Sequence, residues 1–379
     1  MTNDKIWLSS PHMGGNELKY IHEAFAENWI APLGPNVSGF ESDIQKYLKG
    51  NVEVAALSSG TAALHLALIM LGVSQDDEVL CQSMTFAASA NPIRYLGANP
   101  VFIDSESKTL NICPEQLENA IEDRIKKGKK PKAIVAVHLY GMPYQVDEVH
   151  KIAAKYDIPV IEDAAEALGS TYKGKNCGTF GELAILSFNG NKIITTSGGG
   201  ALVAKTEQMK QKAVFLATQA RDNAPHYQHS EIGYNYRLSN ISAGIGRGQM
   251  EVLDDRVHTR REMFDFYVNL FRDIDGVRLF SEPSADYFSN HWLSVITIDS
   301  EVTGFSREDL REALAALNIE CRPLWKPMHM QPVFADSPFY GTGVAERMFE
   351  DGLCLPSGSN LSDSDRSRIS TAIKSHLKK

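Results

Sequence analysis

Cysteine, basic charge and long apolar runs are all scarce in this chain, and each shortage removes a class of protein. The five cysteines, Cys81, Cys113, Cys177, Cys321 and Cys354, are odd in number and scattered. No two are spaced like zinc ligands, so no metal is expected, and the set suits a reducing compartment. Lys and Arg total 38 against 47 Asp and Glu, a formal net charge of −9. That balance argues against a nucleic-acid partner. The densest basic stretch, Arg124–Lys132, reads as a solvated helix end and loop. The longest apolar helical stretch, Ala62–Leu71, contains His65 and is far short of a membrane span. The start, Met1–Lys5, carries no apolar leader core. A cytoplasmic protein with no membrane partner is expected. Internal repeats and low-complexity tracts are not found.

What is present is an ordinary globular composition, 43% hydrophobic and 22% charged, over 379 residues. That length calls for two domains. Residues 14–30 read as an amphipathic helix with Leu18, Ile21, Phe25 and Trp29 toward the core, and a second helix covers 36–49. Short apolar strands then alternate with helices. Strands are expected at 54–57, 78–81, 100–104, 133–138, 160–162, 183–187 and 200–204, with helices at 61–71, 87–96, 114–127 and 146–156. This is an α/β pattern with a mostly parallel sheet covered on both faces. One long helix is expected over 239–271, followed by strands at 277–279, 292–298 and 319–323 and a helix at 307–317. Residues 1–250 are thus assigned to a large α/β domain with an N-terminal segment, and 251–379 to a smaller α+β domain.

Sites in such sheets lie beyond the carboxyl ends of the strands. Ser58–Thr61, Met84–Phe86, His138–Tyr140, Asp163 and Ser187–Lys192 all fall at such ends. Asp163 and Lys192 are the most informative pair. A lysine in a small, glycine-rich turn can form a Schiff base with an aldehyde, and a carboxylate can keep a pyridine nitrogen protonated. Together they are what an enzyme needs to hold pyridoxal phosphate. A lone lysine is ordinarily a surface residue, and an acid at a strand end often caps the next helix. The pairing favours the cofactor.

The remaining candidates carry bland alternatives of their own. Ser58-Ser59-Gly60-Thr61 opens a helix and could cradle phosphate, with Ser187 adding a hydroxyl, yet Ser and Thr are also plain N-caps. Glu166 could cap or could reach the cofactor hydroxyl. Phe86 could stack on the pyridine ring or simply fill a core. The run Gly233–Ser239 puts Asn235 beside Tyr236 and Arg237, which suits a phosphate or subunit interface. Arg322, Trp325 and His329 sit in a proline-stiffened loop, either a linker or a wall of the substrate pocket. The glycines of Gly244–Gly248 look like a dinucleotide turn but follow no strand, so they are set aside.

With these residues in place, the chain resembles the DegT/DnrJ/EryC1/StrS nucleotide-sugar aminotransferases, of fold type I among the pyridoxal-phosphate enzymes. The match runs nearly end to end. It is carried by Pro11–Glu17, Ile161–Gly169, Phe188–Gly200 and Gly233–Ser239. The resemblance implies that Lys192 is the Schiff-base lysine, Asp163 the acid on the pyridinium, and Glu166 the residue near the cofactor hydroxyl. It implies a phosphate cradle of Gly60, Thr61 and Ser187, a stacking Phe86, and Asn235 donated by the second subunit of a homodimer. Ser59 departs from the Asn-Ser-Ala-Thr form common in relatives, although a hydroxyl before a Gly-Thr pair keeps the backbone geometry plausible.

Within the family, Asn28–Gly34 and Arg322–His329 look most like enzymes aminating C4 of a UDP-2-acetamido-2,6-dideoxy-4-keto-hexose, from L-glutamate, on the way to bacillosamine-type sugars. By that resemblance Asn28, Trp29, Ile30, Ala31, Arg237, Arg322, Trp325 and His329 meet the substrate. Related 3-dehydratases replace the lysine with histidine, and Lys192 argues against that chemistry. Enzymes acting on GDP-4-keto-6-deoxymannose or on 3-keto sugars keep the lysine and stay as rivals. So does, from another class, a silent binding protein on the same fold. Such a protein would be expected to lose the lysine or the acid.

Overall fold

The computed structural model describes residues 4–377. Met1–Asn3, part of the start read as lacking a leader core, lies outside the described residues.

Five short runs are the first strands that the chain gives to its main sheet. They are β1 (Glu53–Leu57), β2 (Glu78–Gln82), β3 (Asn99–Ile103), β4 (Ala133–Val137) and β5 (Val160–Asp163). A hairpin follows, β6 (Thr171–Tyr172) and β7 (Lys175–Asn176), then β8 (Leu183–Ser187) and β9 (Gly200–Ala204). The apolar run Ala133-Ile-Val-Ala-Val137 is buried throughout, as a strand covered on both faces must be. The order across the sheet is β1-β9-β8-β5-β4-β2-β3, and Phe339–Tyr340 adds an eighth strand beside β3. From β8 to that edge every pair is parallel, while β9 runs antiparallel to both β1 and β8. The sheet is therefore mixed but mostly parallel, as expected. Ser187 pairs with Gly200, so residues 188–199 form one closed loop between β8 and β9. Lys192 sits in that loop.

A second, antiparallel sheet takes the order 277–279, 294–298, 352–355, 322–323. It packs with the helices Leu253–Phe271, Arg307–Ala315 and Asp363–Leu377 around its own apolar cluster. Two segments pack away from their neighbours in sequence. Ile6 bridges to Ile319 and joins the later cluster. Phe339–Tyr340 returns to the main sheet, an addition that a two-residue edge strand does not announce in sequence.

The second N-terminal helix falls where expected, and the first differs from expectation in extent and face. The first, α1, spans Glu17–Ala26, and α2 spans Pro35–Leu48. In α1 the buried residues are Glu17 and Ala24, whereas Leu18, Phe25 and Trp29 are 62%, 63% and 43% exposed. The expected core face points outward because the other face meets the Asn240–Met250 helix through glycines. A Cβ on Gly246 would lie 2.6 Å from Phe40, and one on Gly248 would lie 2.7 Å from the Glu17 nitrogen. The glycine run set aside as a cofactor turn is thus a packing ridge. The expected single helix over 239–271 is also two helices, Asn240–Met250 and Leu253–Phe271. Among the described residues no helix is long and apolar enough to cross a membrane.

Candidate active site

The carboxyl ends of β1, β5 and β8 converge on one cavity of ≈ 280 Å³, lined by Gly60, Thr61, Phe86, Asp163, Glu166, Ser187, Lys192 and Trp325 among others. Helix α3 (Gly60–Met70) starts at its rim. Ser59 caps that helix, its hydroxyl accepting the Ala62 N–H at 3.0 Å. Gly200 is required beside it, since a Cβ there would fall 2.3 Å from the Gly60 nitrogen. Gly60 in turn lies against Ser187, which brings two elements of the expected phosphate cradle together.

Asp163 ends β5 and is 5% exposed. No helix follows it, so helix capping is excluded as its role. Its Oδ2 accepts from the Ser89 hydroxyl at 2.6 Å, and its Oδ1 accepts from the Ala165 N–H at 3.2 Å. Burial pushes its carboxyl up, against the hydrogen bonds of Ser89 and Ala165 and the charge of Lys192. Burial also raises Glu166, against the charge of Lys192 and the Tyr140 N–H bonded to Oε2 at 2.7 Å. The Lys192 side chain is 12% exposed, with Nζ 3.4 Å from Glu166 Oε1 and 4.0 Å above the Trp292 ring.

These residues suit pyridoxal phosphate. A carboxylate this buried, held only by neutral donors and a nearby lysine, is poised for a cation such as a pyridinium. Lys192 is within the same cavity, and Thr61 and Ser187 offer hydroxyls. Phe86 is 59% exposed and its ring lies 6.0 Å from that of Trp325, so it is a cavity wall and not a core residue.

Other sequence candidates are placed elsewhere. Arg237 was expected at the substrate, but its guanidinium pairs with Glu41 and with the Ala56 carbonyl. His329 is likewise diverted, bonding Ser83 at 2.7 Å and Glu346 at 3.0 Å and stacking on Phe339. Arg322 is turned to Glu320 on the surface. In each case the partner within the single chain is a local acid, carbonyl or hydroxyl. Trp325 alone of its loop lines the cavity. Asn28, Trp29, Ile30, Ala31 and Asn235 do not line it. Asn28–Ala31 is pinned by main-chain oxygens of Trp29 and Ala31 to Asn240, and Asn235 is exposed.

Sequence reasoning missed Ser89, Trp292 and the precise part of Tyr140. Tyr140 holds a left-handed backbone (φ 55°), its N–H bonding Glu166 and its hydroxyl accepting the Trp325 N–H at 2.9 Å. A strained residue at a strand end is a signal, but nothing in the sequence exposes it. Among the described residues one cluster, His138, Glu162 and Cys177, has metal-ligand chemistry. Glu162 there already accepts from His138 and from the N–H groups of Gly178, Phe180 and Gly181. Its lone pairs are taken, so the cluster is an anchor for that loop.

Comparison with known proteins converges on one family. A model of the DegT/DnrJ/EryC1/StrS aminotransferase family matches residues 11–374. A putative pyridoxal phosphate-dependent aminotransferase, EpsN, from Bacillus subtilis (strain 168) is 54% identical, covering 96% of this chain and 94% of that one. A GDP-perosamine synthase from Escherichia coli O157:H7 is 37% identical, covering 94% of each. The pyridoxal-phosphate form of a putative sugar aminotransferase, Spr1654, from Streptococcus pneumoniae superposes with a TM-score of 0.89 at 25% identity, over 99% of both chains.

Proposed function

Since the chain belongs to the DegT/DnrJ/EryC1/StrS aminotransferase family and is a pyridoxal-phosphate-dependent sugar aminotransferase, we propose that it moves the amino group of L-glutamate to C4 of a UDP-2-acetamido-2,6-dideoxy-4-keto-hexose. The product would feed bacterial glycan synthesis in the cytoplasm. The observation that carries the chemistry is the buried Asp163 beside Lys192 at the strand ends. When bound, the cofactor supplies the electron sink that lets a carbon beside nitrogen lose its proton. Lys192 Nζ would be the base and acid that moves that proton. The Asp163 carboxylate, its orientation fixed by Ser89 and Ala165, would keep the ring nitrogen protonated. Glu166 faces the Lys192 amine. Gly60, Thr61 and Ser187 would hold the phosphate at the start of α3.

The assembly we propose is a homodimer in which Asn235 reaches the partner's site. Two observations support it. Asn235 is exposed and away from its own cavity, and ≈ 280 Å³ lies at the lower edge of the roughly 300–1,000 Å³ of ordinary ligand pockets. The nucleotide would then lie outside the single-chain cavity, against Asn28–Ala31 of one copy. The UDP assignment rests on the likeness of residues 28–34 and 322–329 to UDP-sugar enzymes. A GDP-linked 4-keto sugar is the second reading, favoured by the 37% relative. Incubating the enzyme with glutamate and UDP- and GDP-linked 4-keto and 3-keto sugars, with mass spectrometry of the products, separates the two. Amination of the UDP sugar at C4 is expected; selective amination of the GDP sugar would replace this reading. Lys192→Ala should abolish turnover and the yellow colour of the bound cofactor, and normal turnover would sink the whole account.

A further inference from the structure

Trp292 was not anticipated from the sequence, yet its ring lies directly against the reactive amine. It is 1% exposed, lines the cavity, and carries Lys192 Nζ 4.0 Å above its ring centre. It precedes the strand Ser294–Ile298 of the second sheet, so it belongs to a different part of the chain from the lysine loop. Its ring is fixed from several sides. The indole Nε1–H donates to the Asn191 carbonyl at 2.7 Å, and Ser9 Oγ donates to that same carbonyl at 2.7 Å. Arg260 bonds both the Trp292 carbonyl, at 2.5 Å, and Ser9 Oγ, at 2.9 Å. The Trp292 N–H reaches Asn290 Oδ1 at 2.8 Å. The residue just before Lys192 and the plate beneath its amine are therefore held by one network.

We propose that Trp292 is a positioning residue: its indole face is the resting platform for the Lys192 amine whenever that amine is not bonded to the cofactor, with Glu166 as the second contact. The inference rests on the aminotransferase reading. Over the two halves of that reaction the amine would leave the cofactor in the first and have to return to the same carbon in the second. A free lysine side chain samples many rotamers, and a fixed plate limits its wandering. A ring face suits the task because it attracts an ammonium without accepting a proton from it. A second carboxylate in its place would compete for the proton that the amine has to carry.

The test uses the cofactor-free protein and no substrate, so it stands apart from whether the substrate reading holds. Lys192 is carbamylated with cyanate and followed by peptide mass spectrometry, with the exposed Lys108 as internal reference. Loss of the platform in Trp292→Leu should speed Lys192 labelling about fivefold relative to Lys108, the equivalent of a contact of about 1 kcal/mol. Trp292→Phe keeps a ring face and loses the Nε1–H bond, and should stay within about twofold of the unaltered protein. Should the leucine variant fail to fold, judged by circular dichroism, Trp292→Met refills the volume and carries the same expectation. Equal acceleration in Trp292→Phe and Trp292→Leu would assign Trp292 to loop anchoring alone and overturn the proposal. So would unchanged labelling in Trp292→Leu. Failure of the enzyme reading would appear separately, as a protein that never takes up pyridoxal phosphate.

Discussion

Two adjacent carboxylates in β5 meet opposite fates, because neighbouring residues of a strand face opposite sides of the sheet. Burial alone would raise both. For Glu162 the hydrogen bonds of His138, Gly178 and Gly181 outweigh it and hold the carboxyl below its usual range. Asp163 has fewer donors, and burial wins. An acid whose folded pKa lies above its unfolded value of about 3.9 weakens the fold once ionised. The loss develops as pH rises from about 4 through the folded pKa and persists above it. Relative to the unaltered protein, cofactor-free Asp163→Asn should therefore gain stability between pH 4 and pH 7. The gain is about 1.4 kcal/mol for each unit by which burial raises the acid. Urea midpoints across that pH range read the gap directly, and a gap that shrinks toward pH 7 would contradict the assigned direction. The same variant should bind the cofactor more weakly, since the destabilising charge is the one the pyridinium uses.

At the scale of elements, the seam between α1, α2 and the Asn240–Met250 helix decides where the lysine loop sits. Gly246 presses on Phe40, and Phe40 packs edge-on against Phe188 at 5.0 Å, the first residue after β8. In isolation Gly→Ala would favour a helix by about 1 kcal/mol. Here the added Cβ meets a ring with no room to move, and Gly246→Ala should instead cost about 1–3 kcal/mol in a chemical-denaturation experiment. A stabilised variant would mean that the seam is looser than its contacts imply. The strands and the helices after them were legible because buried parallel strands are unbroken apolar runs, as in β4 and β8. Two features were not. Phe339–Tyr340 is too short to show a period, and the break at Glu251–Val252 lies within a helical pattern that continues on both sides.

For the whole molecule, the misread face of α1 is the informative one. Leu18, Phe25, Trp29, Ile30 and Leu33 form a run of exposed large apolar side chains close in sequence. Exposed apolar side chains grouped into a patch are what an interaction site presents. The run coincides with the segment proposed to meet the nucleotide, which fits the proposed dimer with its sites at the interface. Phe25 is 63% exposed, so Phe25→Asp should leave the fold intact. Burying one Phe contributes about 1.5–3 kcal/mol. The symmetric contact counts it twice, so sedimentation at micromolar concentration should find the variant monomeric and the unaltered protein dimeric. A variant that stays dimeric would move the interface elsewhere on the surface.

The sequence by itself determined the main sheet, the strand ends that carry chemistry, and the lysine–acid pair with its glycine-rich turn. Those depend on side-chain type and short-range period, which a chain displays wherever it folds. Only the tertiary structure decided which residues attend that pair. Ser89 reaches Asp163, Tyr140 reaches Glu166 and Trp292 reaches Lys192 from separate elements. Arg237 meets Glu41, and His329 meets Ser83 and Glu346. A polar group bonds whichever partner packing brings to it, and that partner is fixed by the crossing of distant segments, which local pattern does not record.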